Sequence, residues 1–239
     1  IAILAENKHV KFMQTRGLWI DVDDENGFKK AEKALLDLLR GKSNDGPVSH
    51  WLNRPISARI SKSLVNFNIA PTQISFSSFA LSVIAAGLFA LGTYWFLALA
   101  GIIAQFASIV DGSDGEVARL KYLSSDYGRW VDAVLDRYAD AFLLFGLTWN
   151  VYIHKLSSWA LAIGFSAIIG TFMLSYTADK YDKLMKNRIQ KGIRMGRDVR
   201  VFLIFLGAIF NQAYLILIVI AVLMNLETMR RIVICQNDK

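Results

Sequence analysis

Six apolar runs, at roughly 74–92, 94–110, 141–153, 157–175, 201–210 and 213–226, limit what this chain can fold into. A helix needs roughly 20 apolar residues to cross a bilayer, and several of these runs approach that length. The run at 201–210 spans only if its helix begins back near Arg197. The expected architecture is an all-α integral membrane protein with six transmembrane helices. Apolar residues make up 54% of the 239 positions, and the charged 20% are segregated between the runs.

That segregation orients the helices. Of the 27 Lys and Arg, only Lys155 falls on the side opposite the N-terminus. The far loops (Gly92-Thr93, His154 to Ser158, Asn211-Gln212) are short and almost uncharged. The positive-inside rule then places both termini in the cytoplasm, with the protein in the cell membrane. The net charge of +7 reflects this orientation and an anionic lipid surface, and it would attract anionic substrates. The basic residues sit beside membrane segments, which argues against a nucleic-acid partner. One cysteine, Cys235, excludes a disulfide framework, and His9, His50 and His154 are too scattered for a metal cluster. No cleavable signal peptide is apparent, and the chain begins with Ile1, so a preceding segment is expected.

Ahead of the apolar runs lie two smaller units. Gly17-Leu18-Trp19-Ile20-Asp21-Val22 reads as a short strand, and Asp23-Asp24-Glu25-Asn26 can cap a following helix. Phe28, Ala31, Ala34, Leu35, Leu38 and Leu39 give that helix an apolar stripe to about Arg40. Residues 1–46 are thus a short α/β piece plus linker, too small to bury a core alone, and 47–239 form the membrane domain. Within 49–66, Leu52, Ile56, Ile60 and Leu64 recur every four residues, with Arg54, Arg59 and Lys62 between them and Pro55 suited to a first turn. This is an amphipathic helix, lying either on the membrane surface or against protein. Asn66 to Pro71 is a break before the first membrane helix.

Four aspartates occupy a fixed frame at the edge of two apolar runs. Asp111 and Asp114 are three apart, and Asp132 and Asp136 four apart, so each pair shares one helix face. Adjacent antiparallel helices joined by a short cytoplasmic loop would bring the pairs together. Ionised carboxylates near bilayer depth are costly unless they meet a cavity or a cation. Four of them, with too few local cations, ask for a metal, and oxygen-only ligands favour Mg²⁺ or Mn²⁺. Two ions about 4 Å apart would clamp a phosphoryl group for in-line displacement. Gly112, Gly115, Ala118 and Gly128 leave room for close approach of a ligand, with Arg119 beside the gap as a cation for phosphate. Taken singly, such residues read as helix-packing glycines or a proton relay. A cation-coupled transporter would use the same aspartates, but would produce flux without chemistry.

The whole frame, D-x2-D-G-x2-A-R-x8-G-x3-D-x3-D, resembles the signature of the CDP-alcohol phosphotransferases at every position. The likeness extends over about 49–236, including Asn68 to Ser75 at the entry to the first membrane helix. It implies transfer of a phospho-alcohol unit from a CDP-alcohol donor to a second alcohol with release of CMP. It also implies that Asp111, Asp114, Asp132 and Asp136 hold the metals and that Asp136 is the general base. Asp114, Gly115, Ala118, Arg119 and Gly128 would shape the CDP site, and a homodimer within the lipid bilayer would be the assembly.

Gly196-Arg197-Asp198-Val199-Arg200 puts Arg197 and Arg200 on one face, where they serve either as a membrane anchor or as a site for a phosphorylated acceptor. The resemblance favours the second for Arg200, and Lys180 and Lys183 could extend it. Trp19 to Asp23 and the following helix resemble the C-terminal end of sugar-phosphate nucleotidyltransferases. The combination is similar to the bifunctional inositol-1-phosphate cytidylyltransferase/di-myo-inositol-phosphate-phosphate synthases. It implies CDP-inositol as donor, inositol phosphate as acceptor and di-myo-inositol-phosphate phosphate as product. The alternative within the family is a phospholipid synthase that uses a CDP-lipid with glycerol phosphate or inositol phosphate.

Overall fold

The computed structural model describes residues 19–39, 46–184 and 195–236. All of the regular structure among them is helical: α1 Glu25–Leu39, α2 Arg54–Leu64, α3 Pro71–Ala90, α4 Tyr94–Leu120, α5 Asp126–Lys155, α6 Ser158–Leu184, α7 Arg197–Ile209 and α8 Ala213–Gln236. A π-helical turn, Ser49–Asn53, leads directly into α2. The chain divides into two compact units, 1–38 and 39–239.

In the first unit, the Asp24 carboxylate accepts from the Gly27 backbone N–H at 2.5 Å, so the acidic run does cap α1. The expected strand does not form: Trp19 to Val22 are irregular, and residues 17–18 lie outside the described segments. An isolated strand has no neighbour to pair its backbone groups, and none is present among the described residues. Trp19 and Phe28 are exposed on this unit.

In the second unit, helix starts follow local chemistry. Pro71 occupies the first turn of α3, where its missing N–H is harmless, and the Gln73 side chain accepts from the Ala70 N–H at 2.9 Å. Ser125 caps α5 by accepting from the Gly128 N–H at 3.0 Å. Gly92 turns the chain between α3 and α4 at φ +82, a conformation suited to glycine.

Helix α3 packs on α4 and α5, α6 on α5 and α8, and α7 on α4 and α8. Phe89, Leu97, Leu143, Leu147, Ile204, Leu217 and Met224 are central to the core. Close approach of α3 and α5 depends on Gly146, where any Cβ would collide with the Ala86 backbone.

Four helices, α3, α4, α6 and α8, are long and apolar enough to cross a membrane, which makes this an integral membrane protein. Helices α5 and α7 do not meet that standard. The first half of α5 carries the charged residues Asp126, Arg129, Asp132, Asp136, Arg137 and Asp140. α7 does begin at Arg197, yet its 13 residues reach only about 20 Å. Large aromatic residues, among them Trp95, Phe145 and Phe165, cover the outer surface of the bundle.

Helix α2 is amphipathic as expected, and it is its polar side that packs on protein. Its buried positions are Arg54, Ser57, Ala58 and Ser61, which pack on α4. Leu52, Ile56, Ile60 and Leu64 are only half-buried. The polar face docks because a buried carboxylate on α4, Glu116, needs donors.

Candidate functional site

Helices α4 and α5 are joined by only five residues, so the C-terminal end of one sits beside the N-terminal end of the other. The frame's aspartates lie at this junction. One carboxylate oxygen each from Asp111, Asp132 and Asp136 lies within 4.8 Å of the others. Asp114 accepts from Ser75 Oγ at 2.5 Å with one oxygen and from the Gly115 N–H with the other. Ser78 Oγ, also from α3, donates to Asp111 at 2.9 Å. These two serines fix the rotamers of the α4 carboxylates from a neighbouring helix.

Cations reach the cluster from α7. Arg197 Nη1 donates to Asp111 at 2.6 Å and also to Asp136, and its Nε lies 3.5 Å from Asp140. Arg200 Nη2 donates to Asp140 at 2.5 Å, both side chains being buried. Arg137 reaches only to 3.9 Å from Asp136. Among the described contacts, these five carboxylates are approached by the guanidinium groups of Arg197, Arg200 and, more distantly, Arg137. Asp132 Oδ1 is buried with no hydrogen-bond partner among the described residues. A buried oxygen left in that state is costly unless a cation binds it. The oxygen-only donor set, the convergence of three carboxylates and this orphaned atom all fit a hard divalent cation.

A cleft of about 690 Å³ opens beside the cluster. Asp111, Asp114 and Asp132 line it, as do Gly115, Ala118, Arg119 and Gly128, the residues expected to shape a nucleotide site. Arg119 folds over Gly115, where an added Cβ would come within 3.4 Å of its Nη1. At Gly128 a Cβ would press on the capping Ser125 Oγ at 3.1 Å.

The two expected acceptor residues are placed differently. Arg197 lies within the carboxylate cluster, and Arg200 is 3% exposed on Asp140, so neither lines the cleft. Lys180 is exposed and sits over the Tyr176 ring at 4.6 Å, away from any acidic partner among the described contacts. Three participants were missed in the sequence: Asp140, Glu116 and the serine pair Ser75/Ser78. Asp140 extends the four-residue ladder of Asp132 and Asp136 by one turn, a signal that was available. The serines carry no such mark, since their role depends on how α3 meets α4.

Residues 68–231 match the family model described as CDP-alcohol phosphatidyltransferase, and the chain belongs to that family. The protein named bifunctional IPC transferase and DIPP synthase from Rubrobacter xylanophilus is 37% identical over 92% of this chain. The chain spans 49% of that relative, about half the length of the bifunctional proteins it matches. Archaetidylinositol phosphate synthase of Pyrococcus horikoshii is 29% identical over 73% of this chain and 87% of its own. Crystal structures of Mycobacterium tuberculosis phosphatidylinositol phosphate synthase share the fold at 20% identity. The one with CDP-DAG bound has a TM-score of 0.63 over 74% of this chain and 92% of its own. The one in complex with manganese and citrate has a TM-score of 0.64 over 76% and 89%.

Proposed function

We propose that this chain is a divalent-metal-dependent transferase. It moves the phospho-alcohol unit of a CDP-alcohol to the hydroxyl of a second alcohol and releases CMP. The observation that carries the reading is the orphaned Asp132 oxygen within a converging carboxylate cluster, set beside a cleft lined by every frame residue except Asp136. Asp111, Asp114, Asp132 and Asp136 are the proposed ligands for two Mg²⁺ or Mn²⁺ ions. When bound, such ions neutralise the diphosphate and stabilise the leaving CMP. Gly115, Ala118, Arg119 and Gly128 hold the cytidine diphosphate. Asp136 takes the proton from the attacking hydroxyl as a new oxygen–phosphorus bond forms and the phosphoanhydride bond breaks. Arg197 and Arg200 are proposed to receive the acceptor's phosphate once the carboxylates they now pair are otherwise neutralised.

The donor we favour is CDP-inositol and the acceptor inositol phosphate, giving di-myo-inositol-phosphate phosphate. The four bifunctional IPC transferase and DIPP synthase relatives, 32–37% identical, support this choice. A CDP-lipid donor is the second reading, favoured by the CDP-DAG bound in the mycobacterial structure and by the name of the Pyrococcus relative. In either case we propose six membrane helices, α3 to α8. Both termini and the site face the cytoplasm, the protein is a homodimer, and residues 1–46 are the end of a preceding nucleotidyltransferase-like domain. Purified protein given Mg²⁺, inositol phosphate and either CDP-inositol or a CDP-lipid tests the reading through CMP release, with Asp136→Asn as control. CMP from CDP-inositol alone supports the first donor, and CMP from the lipid alone the second. No CMP from either, with inositol phosphate or glycerol phosphate as acceptor, contradicts the transferase.

A further inference from the structure

Glu116 lies on α4 two residues past Asp114, at a position the frame leaves open. Its side chain is fully buried. Three donors on α2 converge on it: Arg54 Nη1 at 2.8 Å, Ser57 Oγ at 2.8 Å and Ser61 Oγ at 2.6 Å. The same Arg54 nitrogen donates to the carbonyl of Gly112 at 3.3 Å, on the peptide next to Asp111. Arg54 also forms part of the wall of the cleft.

As a fastening for α2 alone, this pair is a poor solution. An apolar pair of similar volume holds two helices at least as well as a buried ion pair. What the ion pair adds is a guanidinium at a fixed place in the wall of an acidic cleft. Glu116 fixes it from behind, and Arg54 Nη1 lies 3.7 Å from where a Cβ at Gly112 would stand, in ordinary contact with the backbone beside Asp111. A planar guanidinium fork suits phosphate oxygens.

We propose that Arg54 is a binding residue for the diphosphate of the nucleotide donor, and that Glu116 is a positioning residue acting through it. The inference rests on the phosphotransferase reading above. It makes the surface helix α2 part of the substrate site, which the frame on α4 and α5 does not include.

The test is a calorimetric titration of CDP, with Mg²⁺ present, into the full chain in detergent. The proteins compared are the parent, Arg54→Lys and the double variant Arg54→Met/Glu116→Met. The double variant leaves no lone buried charge, so its unfolding midpoint should stay within about 4 °C of the parent. Its CDP affinity should fall about tenfold or more, the loss of charge-assisted contacts. Arg54→Lys, which keeps the charge without the fork, should fall between the two. A folded double variant that binds CDP as tightly as the parent overturns the proposal. If the double variant does not fold, Arg54→Lys decides, and an affinity equal to the parent's overturns it. A parent that binds no CDP at all removes the phosphotransferase reading as well, whereas equal binding by parent and variants removes only this inference.

Discussion

Glu116, fully buried on α4, and Asp132, half-buried on α5 with a buried Oδ1, have opposite surroundings. Glu116 has both oxygens occupied by donors from a single helix. Asp132 has one oxygen with no partner and neighbours that are themselves acidic. A carboxylate saturated by hydrogen bonds is a structural fixture, complete as the chain folds. One left unsatisfied among like charges is completed by something the chain does not supply. On the proposed function, the difference separates the part of this junction that fixes Arg54 and α2 from the part that would take a cation.

Substitutions can sharpen that contrast. The largest effect is expected for Asp136→Asn, which should lower the rate of CMP release by about 10²–10⁴-fold while leaving the protein folded. Steady-state turnover beside a thermal melt in detergent checks both halves. Glu116→Ala should act on stability as well as on donor binding. It strands Arg54 in a buried site at a cost of about 3–5 kcal/mol, seen as a lowered unfolding midpoint. Saturating Mg²⁺ should raise the midpoint of the parent and not of Asp132→Asn, by about 2.7 kcal/mol at a hundredfold excess over the dissociation constant. Ser75→Ala and Ser78→Ala should be mildest. Loss of these orienting hydroxyls should weaken apparent Mg²⁺ affinity by about 10–100-fold without loss of fold, measured by titrating activity against the ion. A midpoint that falls in Asp132→Asn as far as in Glu116→Ala would break the contrast.

Local signals in the sequence were accurate where the structure they specify is local. The start of α4 at Tyr94 matches the onset of the apolar run at 94, and α7 starts at Arg197, where the run at 201–210 would need to be extended. The three-residue and four-residue spacings were expected to bring all four aspartates together, and Asp111, Asp132 and Asp136 do converge. The strand at Trp19 to Val22 was misread, because residue type favours an extended chain but pairing requires a partner. The stripe on α2 was read from its apolar side, because only the position of Glu116 on another helix reveals why the serine face is buried. Arg197 and Arg200 were placed on one face correctly. That this face meets Asp111, Asp136 and Asp140 depends on α7 crossing α4, a long-range contact with no mark in the spacing.

On the proposed function the unsatisfied carboxylates are a cation site and the satisfied one is not. Calorimetric titration of Mn²⁺ into purified protein, comparing the parent, Asp132→Asn and Glu116→Gln, tests it most directly. The account predicts saturable binding by the parent and by Glu116→Gln, and its loss in Asp132→Asn. Undiminished binding by folded Asp132→Asn would contradict it.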